Sequence, residues 1–312
     1  MSRHGIPTPR KVVEVSIVRA LLGSVLICAA SAAVAAEKVE NRTFAVKPGG
    51  LLTVTADGAR ITVTGADSPQ VIVHMAIKGS QENLDDMKMS ATQSAEGVTV
   101  EMTAQHLNWP NWGTRYKDAY IEVTVPRSYR VEARTSGGDV RLDSIAGPNR
   151  VRTSGGDIVA RNLKGDIDGE TSGGDVRLES MEGLVKVHTS GGDIHADGVR
   201  GDIKADTSGG DVRLLGIDGR IRANTSGGDV QCQLVGANRG ISASTSGGGV
   251  RLMLPRGTVG TLDAQSSGGK INTDFPVSTT HWEPHRLNGA INGGGEEIRV
   301  RTSGGGITLS AD

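Results

Sequence analysis

The stretch TSGGDIHADGVRGDIKADTSGGDVRLL, residues 189–215, decides how this chain folds. Its opening tetrad Thr-Ser-Gly-Gly begins at Thr189 and returns at Thr207. The same tetrad begins at Thr135, Thr153, Thr171 and Thr225, so every step in this series is 18 residues. It recurs at Thr245 after 20 residues, as Ser266-Ser267-Gly268-Gly269 after 21, and at Thr302 after 36. Each period contains a half-period: Ile158, Ile167, Val176, Val185, Ile194, Ile203, Val212, Ile221 and Val230 are spaced by nine. The apolar residues are β-branched, their neighbours alternate with period two, and glycine interrupts each half. No helix satisfies that combination. Each half reads as a strand of about five residues plus a turn. The predicted fold is all-β: a two-sided β-solenoid with coils of ~18 residues, one strand in each of two facing sheets, stacked at about 4.8 Å.

Side-chain parity assigns the faces. Ile203, Ala205 and Thr207 share the inward face, while Lys204, Asp206 and Ser208 point out. One inward column reads Leu142, Ala160, Leu178, Ala196, Leu214, Cys232, Leu252, with large and small residues alternating as a narrow core requires. The outward column beside it reads Arg141, Val159, Arg177, His195, Arg213, Gln231, Arg251. Paired glycines belong at the corners, where positive φ or a close backbone approach excludes a side chain.

Composition agrees. The 312 residues hold 45 glycines but only two Phe, three Trp and three Tyr, too few aromatics for an ordinary enzyme core of this size. A net charge of −1 provides no field for nucleic acid or an anionic membrane. Residues 1–36 read as a signal peptide: Arg3, Arg10, Lys11 and Arg19 are basic, Ala20–Ala30 is apolar, and the small residues Ser31–Ala36 offer a cleavage site. The expected product is exported, periplasmic or at the cell surface, with no membrane span after cleavage. Cleavage removes Cys28 and leaves Cys232 as a lone inward thiol. Residues 37–130 lack the tetrad but keep strand-like runs such as Ile61-Thr62-Val63-Thr64, with a short helix expected over Gln81–Met89. They read as an N-terminal β cap or irregular coils, followed by the repeat solenoid over 131–312.

The serial Thr-Ser-Gly-Gly-Asp-Val/Ile pattern resembles the putative-adhesin family of bacterial cell-envelope proteins, a domain of unknown function. So do Val123–Arg127 and the closing Arg301-Thr302-Ser303-Gly304-Gly305-Gly306-Ile307. The resemblance implies a β-solenoid at the cell surface or in the periplasm, and it carries no catalytic residues across.

Several groups of residues could carry chemistry. Stacked coils would bring neighbouring carboxylates in the series Asp139, Asp157, Asp175, Asp193, Asp211 and Asp229 to about 5 Å from each other. Calcium between coils could offset their repulsion, as could backbone N–H groups of each aspartate's own turn. The Thr153–Thr245 ladder falls on the inward face and reads as stacking at the corner. Trp109, Trp112, Tyr116 and Tyr120 cluster in one segment that breaks the repeat, and Trp282 lies in another. Such rings suit either contact with a glycan or protein partner or plugging the core. His281 and His285 flank Pro284, which breaks the helix that would align them for a metal. The favoured reading is a non-enzymatic exported scaffold that presents polar faces and an aromatic loop to a glycan or protein. The alternatives are a calcium-stabilised structural module and a carbohydrate-active enzyme on a β-helix.

Overall fold

The structure is a computed structural model and describes residues 36–105, 117–283 and 285–312; the side chains of Lys117, Thr280, His281 and Trp282 lie outside the description. The repeat builds two facing sheets, of 13 and 14 strands among the described residues. One period shows how. Ile194–Arg200 lies in the thirteen-stranded sheet, Ile203–Asp206 lies in the fourteen-stranded sheet, and Thr207–Gly210 turns the chain back. Each strand then pairs in parallel with its equivalents one period before and after. Ile194 faces Val176 and Val212, and Ile203 faces Val185 and Ile221. A parallel pair always needs a crossover. Here the crossover is the strand of the other sheet, so every connection contributes to the core.

The inward column from Leu142 to Leu252 is in register strand by strand and buried throughout. Facing it, the fourteen-stranded sheet contributes Val151, Gly169, Val187, Ala205 and Ala223. Gly169 is small because an added Cβ would lie 3.3 Å from Val187 and 3.6 Å from Ile158.

Strand length departs from the sequence-based expectation. The halves are unequal, with seven residues in Ile194–Arg200 and four in Ile203–Asp206. The cause is a left-handed residue inside the longer strand of several coils: Asn162 (φ 53°), Ser180 (φ 58°), Gly198 (φ 69°) and Gly216 (φ 62°). This bulge shifts the parity by one, so that Val199 and Ile217 point inward after Ala196 and Leu214.

Coil order at both ends departs from sequence order. Leu51–Ala56 sits between Gly97–Ala104 and Arg130–Thr135, while Arg60–Ala66 sits between Lys117–Pro126 and Val140–Asp143. At the other end the last two strands, Glu297–Thr302 and Ile307–Ala311, slot inside the coil that precedes them in sequence. Thr302 therefore stacks between Thr245 and Ser266. Antiparallel strands finish the stack. Ala36–Ala45 pairs with Gln70–Gly79, Met87–Gln93 with Gly97–Ala104, and Val277–Glu283 with Arg286–Ile291. The helix is shorter than expected, Gln81–Asp86, and buries Leu84. Lys38 donates to the carbonyls of Leu84 and Met87 at 3.0 and 2.7 Å, tying the edge strand to the helix end.

Candidate functional site

The aspartate ladder is hydrogen-bonded along its whole length. Oδ1 of each aspartate accepts from the backbone N–H one coil further on: Asp139 from Asp157 (3.1 Å), Asp157 from Asp175 (2.9 Å), Asp175 from Asp193 (2.9 Å) and Asp193 from Asp211 (2.8 Å). Asp211 accepts from Asp229 and Asp229 from Gly249, both at 2.7 Å. Each carboxylate thus caps the next coil's turn, not its own as the sequence suggested. Arg141 and Arg177 meet the outer oxygens: Arg141 reaches Asp139 at 3.1 Å, and Arg177 bridges Asp175 at 2.8 Å and Asp157 at 3.3 Å. Among the described residues no group of three or more His, Cys, Asp or Glu side chains could hold a metal ion.

The threonine ladder faces inward, as parity requires; from Thr153 to Thr245 every hydroxyl donates to a glycine carbonyl of the previous coil, and all but Thr207 also accept from a glycine N–H of their own turn. Thr189 Oγ1 donates to the carbonyl of Gly174 in the previous coil at 2.8 Å and accepts from Gly192 N–H of its own turn at 3.3 Å. Thr171 repeats both bonds with Gly156 and Gly174. Cys232 lies in the inward column, and burial pushes its thiol pKa up to about 12.

Of the aromatic residues singled out from sequence, Trp109, Trp112 and Tyr116 fall outside the described residues. Trp282 lies in the strand Val277–Glu283, opposite Leu287. Tyr120 stands half-buried on the outer face of the thirteen-stranded sheet. Its hydroxyl lies 3.2 Å from His74 Nε2, the two rings are 5.5 Å apart and tilted by 48°, and His74 Nδ1 lies 2.6 Å from Asn41 Oδ1. A neutral imidazole protonated on Nδ1 satisfies both contacts, donating to Asn41 and accepting from Tyr120. Three neighbouring strands thus hold the Tyr120 ring in one orientation.

Elsewhere on the outer faces opposite charges pair between neighbouring strands. Arg161 meets Glu179 at 3.1 Å, and Glu182 lies 3.7 Å from Lys164 and 3.3 Å from Arg200. On the other sheet Arg152 bridges Asp168 at 2.8 Å and Glu170 at 3.0 Å. Burial raises the Asp168 pKa, but the hydrogen bond and charge of Arg152, with Lys186 and Arg150, outweigh it and hold the carboxyl below its usual range. Asp263 is held low chiefly by its hydrogen bond from Arg301. One row of this sheet sets cations beside cations: Lys186, Lys204, Arg222, Ser242 and Arg299 follow one another across five strands. Its first members could be read from the nine-residue beat. Arg299 could not, because its strand stacks out of sequence order.

The model of the Toastrack family, DUF4097, matches residues 51–310, nearly the whole of this double sheet. The chain belongs to this family. No curated protein matches it. Among solved structures, the Toastrack chain is similar to a putative adhesin from Bacteroides fragilis, at 14% identity over 88% of this chain and 97% of that one, with a TM-score of 0.40. It is similar to a putative adhesin from Parabacteroides merdae at 11% identity, over 88% and 97%, with a TM-score of 0.26. It is also similar to a putative lipid binding protein from Parabacteroides distasonis at 11% identity, over 87% and 96%, with a TM-score of 0.31.

Proposed function

We propose that this Toastrack chain is an exported, non-enzymatic, adhesin-like scaffold of the cell envelope. Its outer faces, together with the segment holding Trp109, Trp112, Tyr116 and Tyr120 and the Trp282 region, meet a glycan or protein partner. In this reading residues 1–36 direct export, 37–130 cap the array, and 131–312 form the repeat body. One observation carries it: the interior hydrogen bonds of the repeat are spent on coil-to-coil stacking. The aspartate Oδ1 atoms, which the sequence offered to calcium, and the threonine hydroxyls both bond to backbone groups of adjacent coils. What is left for function is the side-chain mosaic on two long faces. Flat rigid surfaces of this kind suit binding, which needs preorganised contact area more than a moving cleft.

The test is a glycan array combined with pull-down from envelope extracts, comparing wild type with the Trp109→Ala, Trp112→Ala double variant. Reduced binding supports the aromatic segment as a contact. Unchanged binding removes it and leaves the sheet faces. An absence of any envelope ligand across both assays overturns the scaffold reading.

A further inference from the structure

We propose that the fourteen-stranded sheet carries a linear track for an acidic polysaccharide, running along the solenoid axis over Lys186, Lys204, Arg222, Ser242 and Arg299. The inference rests on the scaffold reading and names the chemical class of its ligand. The five residues occupy the same outward position in successive strands, each Cα paired with the next. Asp168 bounds the row at one end and Asp263 at the other, with no acid between them in that position. Strand spacing sets the charges about 4.8 Å apart.

Like charges that close repel, and other rows of the molecule relieve this by alternating signs, as Lys164, Glu182 and Arg200 do. The track does not. Lys204 reaches Asp206 at 3.3 Å and Arg299 reaches Glu297 at 2.7 Å, but Lys186 and Arg222 make no ion pair among the described residues. Both are exposed. Lys186 acts on Asp168 only through its field. A row of cations held in register by a rigid sheet, with two of its four charges unpaired, is an arrangement that an external anion would stabilise.

The shape of the row selects the anion. Beside Arg222 the small Ser242 lies in a depression lined by Arg220, Arg222, Arg299, Glu296 and Glu297. A carboxylate or sulfate seated there would meet the guanidinium groups of Arg220 and Arg222, the side chain best suited to oxyanions, while Arg299 holds Glu297 at 2.7 Å. Acids flank the row at its middle and at its end: Asp202 and Asp206 lie two residues to either side of Lys204, and Glu297 lies two residues before Arg299. A bilayer or a nucleic-acid duplex needs a broad basic surface and would meet these acids. A single extended chain would not. The strand spacing is also close to the rise of one sugar unit in an extended glycan, so successive uronate or sulfate groups can meet successive strands.

The experiment measures binding of the purified full chain to polygalacturonate at low salt, with neutral dextran, duplex DNA and phosphatidylglycerol vesicles as comparison probes. Two triple variants are matched in charge change. One is Lys186→Gln, Lys204→Gln, Arg222→Gln on the track; the other is Arg161→Gln, Lys164→Gln, Arg200→Gln on the opposite sheet. Circular dichroism melts confirm that both remain folded. The expected result is binding to polygalacturonate and not to dextran, weakened about tenfold by the track variant and less than about twofold by the other. Equal weakening by both variants, or binding of DNA or vesicles as tightly as polygalacturonate, overturns the track. A chain that ignores polygalacturonate but keeps other envelope ligands also overturns it, and leaves the scaffold reading standing.

Discussion

Gly173 and Gly174 are neighbours in one tetrad, yet the stack constrains them differently. A Cβ on Gly173 would lie 3.7 Å or more from its surroundings, whereas one on Gly174 would collide with the carbonyl oxygen of Gly156 in the previous coil. Neither has positive φ, so close approach alone demands the second glycine. Gly173→Ala should shift unfolding free energy by less than about 1 kcal/mol, and Gly174→Ala should cost about 3 kcal/mol, as overpacking against rigid backbone does. Urea titration of the two variants separates these outcomes; equal costs would mean that the corner relaxes. Thr189 poses the complementary test. Its side chain is fully buried, holds to the previous coil through a donated bond and closes its own turn through an accepted one. Thr189→Val keeps the shape and strands both backbone groups, which should cost about 2 kcal/mol. Thr189→Ser keeps both bonds and should cost about half that, consistent with Ser266 making the same pair of contacts with Gly305 and Gly269 at 2.8 Å each. If Val proves as stable as Ser, the hydroxyl ladder contributes nothing. That a Gly-Gly pair marks the corner is visible in the sequence; which glycine faces the previous coil depends on the path of the turn.

At the scale of the strand, charge pairing across the ladder is the feature most open to measurement. Arg152 holds Asp168 ionised below the usual carboxylate range. The unfolded chain therefore takes up a proton first as pH falls, near about 3.9. The pair's stabilisation is complete above that value and disappears as pH drops through the lower folded-state pKa. Asp168→Asn should lower the melting temperature at pH 7 by about 2 °C. The gap from wild type should close below about pH 4. A gap that persists unchanged at pH 2 would show that Asp168 acts through packing. The nine-residue beat exposed these strands and their inward sides, since β-branched residues at that spacing admit little else. It did not expose their unequal lengths. Gly198 and Gly216 hint at left-handed backbone, but Asn162 and Ser180 adopt the same conformation without a glycine to announce it. The aspartate bonds were likewise readable as caps, while their direction from one coil to the next emerged only from the stacking.

At the scale of the whole molecule, the repeat is regular in the middle and rearranged at its ends. Local periodicity cannot report that rearrangement: which coil lies beside which is a long-range fact once the chain stops advancing one layer per period, and Thr302 beside Thr245 is the clearest instance. In the regular part, neighbour relations do follow from sequence, and they make the alternation of large and small inward residues a testable design. Leu178, Ala196 and Leu214 are consecutive in one column. Deleting residues 193–210 removes one 18-residue period, the spacing between Asp193 and Asp211, and brings Leu178 against Leu214. Deleting 193–228 removes two periods and brings Leu178 against Cys232, restoring large beside small. For a simple stack whose stability adds repeat by repeat, the longer deletion should be the more harmful. Interdigitation predicts the reverse, because two leucines in one narrow layer force strained rotamers costing about 1–3 kcal/mol. The 193–228 deletion should therefore melt above the 193–210 deletion despite its shorter chain. If the order is the opposite, each layer packs independently of its neighbours and the alternation is incidental to stability.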